Sequence, residues 1–283
     1  MIESTATHNE SAFLGASDLE LYRQSWRPAG VARARIIVVH GYAEHSGRYA
    51  WAGERLADAG YAVHAYDQRG HGQSVGARVL VDSFREHLDD LKAFVAEVET
   101  EPDRSPLFVF GHSMGGAIVT LYIAVRSNPF AGVILSGPAI AAPRGLRLAG
   151  PILGVVGRIA PGLGLVRLSA SSVSRSLEIV EEYRSDPMVY RGKMPAGTVA
   201  AYGRALARIQ AGMERIELPL LLLHGTADEL CSPRGSKLLH ERAGSLDKTL
   251  KLYDGLAHEL LNEPEKEQVL ADILAWLDAR TPG

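Results

Sequence analysis

The stretch Gly111-His112-Ser113-Met114-Gly115 contains the residues of this chain that most directly suggest chemistry. It fits the GxSxG pattern, which places a serine on a tight turn between a strand and a helix. An apolar run, residues 106–110, precedes the motif, and a helix-like run, residues 116–122, follows it. The hydroxyl is then exposed as a nucleophile, and the N-terminus of the helix favours the negative charge that forms when a carbonyl is attacked. The motif therefore indicates acyl transfer by a nucleophilic serine.

A serine hydroxyl needs a base, and in this type of site the partners follow in the order Ser, Asp or Glu, His. Asp228 comes just after residues 219–225, a leucine-rich run typical of a buried strand, and His258 comes after the alternating run 249–253. Ligand-binding and catalytic groups in open α/β sheets gather beyond the carboxyl ends of the strands. We therefore assign Ser113 as the nucleophile, His258 as the base and Asp228 as the carboxylate that orients the base.

Three other histidines lie beside glycines at predicted strand ends, namely His40, His112 and His224. Each could be close to the site without transferring a proton. His258 is preferred because it follows Asp228 in the required order and lies on a late loop after a strand.

Two other acids, Asp254 and Glu259, could replace Asp228 as the orienting carboxylate. Both are very close in sequence to His258, and we interpret each as a solvated loop carboxylate. A metal site is not expected, because residues 258–262 lack the second histidine of HExxH and one cysteine cannot form a thiolate cluster. The motifs predict no cofactor.

Two backbone N–H groups are candidates for the oxyanion hole. One belongs to Met114, directly after the nucleophile. The other belongs to Tyr42, because His40-Gly41-Tyr42 follows the buried-type strand 35–39 at the place where hydrolases of this kind supply a second donor. The alternative is that His40-Gly41 is only a turn that ends the strand.

Four motifs together resemble the monoacylglycerol lipases, and the resemblance runs from about Asp18 to the C-terminus. They are HGYAEHSGRY at 40–49, DQRGHGQS at 67–74, GHSMGG at 111–116 and HGTAD at 224–228. The resemblance implies an α/β-hydrolase fold and hydrolysis of the ester of a monoacylglycerol, or a similar single-chain acyl ester, without a cofactor. Ser113, Asp228 and His258 match the triad of that family, and Tyr42 and Met114 match its oxyanion donors.

The same resemblance implies roles for residues outside the triad. Glu44, Arg48 and Tyr183 match residues at the polar end of the family's pocket, where glycerol binds or leaves. The alternative for Glu44 and Arg48 is a charge pair that fixes the loop after the first catalytic strand. Cys231 matches a cysteine near the active site of some members, and we interpret it here as a small buried side chain.

Alternating strand and helix patterns predict an α/β fold with a mostly parallel central sheet flanked by helices. An early antiparallel strand begins near Leu19, a helix at 47–59 ends at Gly60, and Ser83 and Glu86 have capping-box spacing before another helix. The alternation stops after Ser136. We therefore predict a hydrolase core in two parts, 1–136 and 212–283, with an inserted cap, or lid, at 137–211.

The cap is apolar and cationic, with no acidic residue from 137 to 176. Its apolar side chains are Leu146, Leu148, Ile152, Leu153, Val155, Val156, Ile159, Leu163, Leu165 and Val166. We expect them to line an acyl tunnel and to contact a lipid surface transiently. The alternative is that they only pack onto the core. Glycines and prolines interrupt the run, which is too short to span a bilayer.

Composition excludes several functional classes. A net charge of −3 and the absence of a basic stripe argue against nucleic acid as a partner. A single cysteine permits no intrachain disulfide, and the first residues lack a cationic and an apolar signal region. We expect a cytoplasmic protein that is peripheral to the membrane.

Other functions would use the same residues. A lysophospholipase or a broad carboxylesterase would share the triad and differ at the polar end of the pocket. Epoxide hydrolases and dehalogenases would have aspartate in place of Ser113. A non-catalytic binding protein with this fold would typically lack a member of the triad, and all three are present.

Overall fold

The computed structural model of this chain describes residues 6–141 and 144–281. The strands in these residues are β1 (Thr7–Leu14), β2 (Glu20–Arg27), β3 (Ala34–Val39), β4 (Tyr61–Tyr66), β5 (Leu107–His112), β6 (Phe130–Ser136), β7 (Gly164–Val166), β8 (Met194–Pro195), β9 (Leu220–Gly225) and β10 (Lys248–Tyr253). The α-helices are α1 (Ala50–Asp58), α2 (Phe84–Thr100), α3 (Ser113–Val125), α4 (Arg144–Ile159), α5 (Leu177–Ser185), α6 (Ala196–Gly212), α7 (Arg234–Arg242) and α8 (Lys266–Asp278).

Eight strands form one sheet in the order β1-β2-β4-β3-β5-β6-β9-β10. Strand β2 is antiparallel to both of its neighbours, and every pair from β4 to β10 is parallel. This arrangement confirms the predicted α/β-hydrolase fold with a mostly parallel sheet. Its parallel strands all end at the same edge, where the catalytic candidates follow β3, β5, β9 and β10.

The central strands are buried on both faces because helices cover the sheet on each side. Every residue of β3, β5 and β9 is buried, which explains their continuous apolar sequences. One hydrophobic layer joins the sheet to α2, α3 and α6. The other joins the opposite face to α1 and α8. The loops at the strand ends are therefore held by a core on both sides.

The local predictions are confirmed in most places. The early strand is β2, and the helix before Gly60 ends where that glycine adopts φ +93°. Ser83 is the N-cap of α2, with its hydroxyl accepting the Arg85 N–H. The second hydrogen bond of a capping box, from the Ser83 N–H to the Glu86 side chain, does not form. Glu86 instead pairs with Arg69 at 3.4 Å. Strand β1 was not predicted.

The segment assigned to the cap contains α4, α5, α6 and the small antiparallel pair β7 and β8. Helix α6 packs on α3 of the core, and α4 packs on α6. Two apolar side chains of the predicted cap, Leu146 and Leu148, lie outside the described structure. The same holds for residues 1–5, 142–143 and 282–283, which belong to the predicted core and cap. None of the helices in the described ranges is both long enough and apolar enough to cross a bilayer.

Candidate active site

Ser113 lies on a strained turn at the junction of β5 and α3. Its φ is +52°, a conformation that residues other than glycine rarely adopt. The turn is possible because Gly111 and Gly115 lack side chains. A Cβ on Gly115 would lie 2.0 Å from the carbonyl oxygen of Val39, and one on Gly111 would lie 2.9 Å from that of Gly115. The motif glycines thus allow the nucleophile turn to pack directly against β3.

Asp228 and His258 form a hydrogen-bonded pair from loops that follow neighbouring strands. The distance between His258 Nδ1 and Asp228 Oδ2 is 2.7 Å, and both side chains are buried. The other carboxylate oxygen of Asp228 accepts the N–H groups of Leu230 and Cys231, each at 2.8 Å. Both oxygens of the carboxylate therefore accept hydrogen bonds, which fixes its orientation.

The contact between Asp228 and His258 shifts their pKa values in opposite directions. Burial alone would raise the pKa of Asp228, but hydrogen bonds from His224 and His258 hold this pKa well below its usual range. Burial alone would lower the pKa of His258, but the hydrogen bond and the charge of Asp228 raise it above 6.5. Asp228 thus stays ionised and increases the basicity of His258.

The competing histidines have structural contacts. His112 Nδ1 lies 3.0 Å from the carbonyl oxygen of Ser136, and burial keeps the pKa of His112 well below its usual value. Burial also lowers the pKa of His40 to about 3. His224 Nε2 lies 3.1 Å from Asp228 Oδ2 and supports the carboxylate from behind. These contacts orient the site, and their lowered pKa values keep His40 and His112 neutral near pH 7.

The Ser113 hydroxyl lies 3.8 Å from the thiol of Cys231. Among the described residues no hydrogen bond joins this hydroxyl to His258, and catalytic hydrogen bonds of this kind often tighten only when substrate binds. Cys231 is buried, as expected, and burial raises the pKa of its thiol far above the usual value. The side chain therefore fills space beside Ser113.

The two oxyanion candidates flank the nucleophile. Met114 follows Ser113 at the beginning of α3, where backbone N–H groups have no partner within the helix. Tyr42 lies in the turn after β3, and this turn is tightly packed against the nucleophile. A Cβ on Gly41 would lie 3.1 Å from the Cβ of Ser113. The two predicted donors thus come from segments in contact with the nucleophile turn.

Glu44 lies in the same turn and is fully engaged with the protein. Its Oε1 accepts the N–H of Gly41 at 2.5 Å and the hydroxyl of Tyr49 at 2.9 Å. Burial, together with the charge of Glu259, raises the pKa of Glu44 to about 7. These contacts favour the interpretation that Glu44 fixes the loop, although its side chain also borders the cavity.

Arg48 is shared by two buried carboxylates. It donates to Glu259 Oε2 at 2.5 Å and lies 3.5 Å from Glu44 Oε2. Asn262 also donates to Glu259, at 2.8 Å. The interpretation of Glu259 as a solvated carboxylate is therefore wrong: it is buried because Arg48, 211 positions away, neutralises it.

The aromatic candidate lies on the other side of Arg48. Tyr183 projects from α5, and its ring centroid is 4.9 Å from the guanidinium carbon of Arg48, a favourable cation–π contact. No signal in the sequence links Tyr183 to Arg48, since they belong to different elements.

The other alternative acid, Asp254, is exposed and accepts a hydrogen bond from Thr226, as expected of a solvated carboxylate.

A cavity of about 450 Å³ opens above the nucleophile. Its walls are mainly apolar and come from the core loops and from residues 166–202. The site candidates that line it are Tyr42, Glu44, Ser113, Met114, Tyr183 and His258. Asp228 lies behind His258, and Arg48 borders a small neighbouring cavity of about 10 Å³ together with Glu259 and Asn262. The cavity therefore brings the candidate nucleophile, Ser113, and the candidate base, His258, to one mainly apolar chamber.

Comparisons with known proteins agree with this architecture. The model of the Hydrolase_4 family, serine aminopeptidase S33, matches residues 30–265. The chain is 39% identical to a monoacylglycerol lipase of Mycolicibacterium smegmatis over 280 residues, covering 96% of this chain and 98% of that protein. It is 39% identical to a monoglyceride lipase of Rattus norvegicus over 271 residues, covering 92% and 87%. The crystal structure of Paleococcus ferrophilus monoacylglycerol lipase superposes with a TM-score of 0.83 at 34% identity, covering 93% and 100%. The chain therefore belongs to the Hydrolase_4 family of serine hydrolases, the family described as serine aminopeptidase S33.

Proposed function

We propose that this protein is a monoacylglycerol lipase that hydrolyses the ester of a single-chain acylglycerol through an acyl-enzyme on Ser113. The observation that carries the proposal is the buried Asp228–His258 pair beside Ser113 at the base of a largely apolar cavity. The 39% identity to the mycobacterial monoacylglycerol lipase over nearly the whole chain supports the choice of substrate class.

The first half-reaction forms the acyl-enzyme. His258 takes the proton of the Ser113 hydroxyl as the oxygen attacks the ester carbonyl, and the N–H groups of Tyr42 and Met114 stabilise the oxyanion. The tetrahedral intermediate collapses, the ester C–O bond breaks, and His258 gives the proton to the leaving glycerol oxygen. Asp228 keeps the imidazole in the required tautomer and stabilises the imidazolium.

The second half-reaction releases the fatty acid. Water enters the position that glycerol has left, and His258 removes a proton from it as it attacks the acyl carbonyl. The same two N–H groups stabilise the second oxyanion, and the proton returns to Ser113 as the acyl group leaves. Both half-reactions use one base and one oxyanion hole, so no cofactor is needed.

We also propose that residues 137–211 form a cap whose outer face contacts lipid. The support is an apolar face of α4 that is left uncovered: Ile152, Val155 and Ile159 are 68%, 57% and 79% exposed. Their spacing of three and four residues places them on one side of the helix. Five arginines and no acidic residue occur in 137–176, which favours an anionic surface.

Replacing Ile152 and Ile159 together by serine is expected to weaken binding to phosphatidylcholine–phosphatidylglycerol vesicles by at least about 100-fold. Each isoleucine contributes about 1.5 kcal/mol or more when it leaves water, and about 1.4 kcal/mol corresponds to tenfold. Co-sedimentation with vesicles measures the effect, and turnover of p-nitrophenyl acetate, a water-soluble ester, should be unchanged.

The matched control is Leu246→Ser. Leu246 is fully exposed, but it precedes β10 and so lies at the opposite edge of the sheet from the cavity. Its loss should leave vesicle binding unchanged. Equal weakening by Leu246→Ser, or no weakening by the double variant, would argue that the cap does not contact lipid.

The proposed function is tested by the products formed from a monoacylglycerol. Glycerol and fatty acid should appear in equal amounts, and a fluorophosphonate should stop the reaction by labelling one serine per chain, Ser113. A chain that does not react with the fluorophosphonate would instead be a non-catalytic member of the fold.

A further inference from the structure

The turn that carries Tyr42 has a backbone conformation that needs external support. We call residues Gly41–Ser46 the oxyanion turn. Ala43 in this turn has φ +71°, which is unfavourable for a residue with a Cβ. The N–H of Tyr42 precedes this strained residue directly. Its direction therefore depends on whatever holds the carbonyl groups and side chains on either side.

Contacts within the turn and from the core hold the two ends of the oxyanion turn. Gly41 donates its N–H to Glu44, and its carbonyl oxygen lies 2.7 Å from His40 Nδ1. At the other end, the N–H and the hydroxyl of Ser46 both donate to Asp67 Oδ1 at 2.7 Å. The middle of the turn, at Ala43 and His45, has no part in these contacts.

The middle of the turn is held from the cap instead. The N–H of Tyr190 donates to the carbonyl oxygen of Ala43 at 2.8 Å. His45 Nε2 lies 2.8 Å from Asp186 Oδ2. Because His45 Nδ1 accepts the N–H of Gly47, Nε2 carries the proton and donates to the carboxylate. Residues 186–190, just after α5, thus form hydrogen bonds with the strained part of the turn.

The histidine–carboxylate contact is well defined. His45 is buried, and the second oxygen of Asp186 accepts the N–H of Met188 at 2.7 Å, which fixes the carboxylate. Both oxygens of Asp186 are therefore occupied by donors, one from the core and one from the cap. Neither residue lines the main cavity, so the pair is not placed to touch an acyl chain.

We propose that His45 and Asp186 are positioning residues, which set the direction of the Tyr42 N–H by tying the oxyanion turn to the cap. The cap then contributes to the rate of acyl transfer for every ester, including those too short to enter an acyl tunnel. This inference rests on the proposed function, because it takes Tyr42 as an oxyanion donor.

Substitution at His45 separates positioning from packing. His45→Gln keeps an amide donor where Nε2 lies, whereas His45→Asn has its amide near the position of Nδ1 and loses the donor to Asp186. We expect His45→Asn to lower kcat on p-nitrophenyl acetate and on a long-chain monoacylglycerol by about ten- to hundredfold, since small misplacements of catalytic groups have effects of this size. His45→Gln should retain most of the rate.

Substitution at Asp186 tests the same contact from the cap. In Asp186→Asn, either His45 or the Met188 N–H must face an amide donor, so one hydrogen bond is lost. We expect the same loss of kcat on both esters, with KM for the monoacylglycerol nearly unchanged. Affinity for an alkyl trifluoromethyl ketone, which forms an oxyanion on the serine, should fall by the same factor. Glu182→Gln, an exposed acid on the same segment of the cap, is the matched control and should resemble the wild type.

Equal rates for His45→Asn and His45→Gln on p-nitrophenyl acetate would overturn the proposal. So would an unchanged kcat on that ester together with a raised KM for the monoacylglycerol, since this would restrict the cap to binding the acyl chain. The melting temperature of each variant identifies unfolding. If the wild type hydrolyses p-nitrophenyl acetate but not monoacylglycerols, the proposed function fails, whereas the ratio of variant to wild-type rates still tests the positioning role.

Discussion

Ser113→Ala is expected to reduce kcat/KM for a monoacylglycerol by about 10⁶-fold, the loss typical of removing a triad nucleophile. Without the hydroxyl no acyl-enzyme forms, and only the oxyanion donors and substrate binding remain. The fold should be unaffected, because alanine adopts the same φ of +52° as the serine, and within the described residues the hydrogen-bond partner of Oγ is the thiol of Cys231. Ester hydrolysis and the thermal midpoint, measured on one preparation, check both statements.

Ser172→Ala is the matched control for this loss. Ser172 also lines the cavity, and its hydroxyl bonds Glu229 at the surface instead of facing the base. We expect its rate to stay within a few-fold of the wild type. Near-normal turnover by Ser113→Ala, or an equally large loss in Ser172→Ala, would contradict the assignment of the nucleophile.

Asp228→Asn is expected to lower kcat by about 10⁴-fold, the size of effect known for the orienting carboxylate of such triads. An asparagine can turn its amide NH₂ toward His258, which then presents the wrong tautomer to Ser113. The contact removed is the 2.7 Å hydrogen bond between His258 Nδ1 and Asp228 Oδ2. Steady-state turnover of a monoacylglycerol measures the loss.

The same substitution is expected to move the pH profile in a defined direction. His258 must be neutral to act as a base, so wild-type kcat/KM falls as the pH falls through the raised pKa of His258. Without Asp228, burial dominates and lowers this pKa. The acidic limb of the residual activity should therefore lie at lower pH in Asp228→Asn than in the wild type.

Asp254→Asn serves as the control for both effects. Asp254 is exposed and four positions before His258, and it is one of the two acids weighed against Asp228 from the sequence. Its substitution should change neither the rate nor the acidic limb. If instead Asp254→Asn caused the large loss and Asp228→Asn did not, the orienting acid would be misassigned.

The parts of the fold that the sequence predicts are those whose physical signal is local. Strands β4, β5 and β9 are buried on both faces and therefore read as continuous apolar runs. Strand β1 was missed because it lies at the edge of the sheet, and Phe13 is its one buried residue in the described structure. An edge strand with both faces in water has no hydrophobic alternation to detect.

The residues of the candidate site likewise fall into those with a local sequence signal and those without one. Ser113, Asp228 and His258 each follow a strand that can be predicted from its apolar sequence. Because these strands are parallel and end at the same edge of the sheet, the three residues lie close together. The burial of Glu259 depends on Arg48, and the position of His45 depends on Asp186, 141 positions later. Such contacts have no pattern within either segment. They become visible only when segments that are distant in sequence pack together.

The measurement that tests the central claim most directly is kcat/KM on three substrates of equal acyl length. These are a monoacylglycerol, the corresponding diacylglycerol and a lysophosphatidylcholine, with Ser113→Ala as the blank. The proposed function predicts a clear preference for the monoacylglycerol, with activity absent in the blank. Equal or faster turnover of the lysophosphatidylcholine would contradict it and identify a lysophospholipase that uses the same triad.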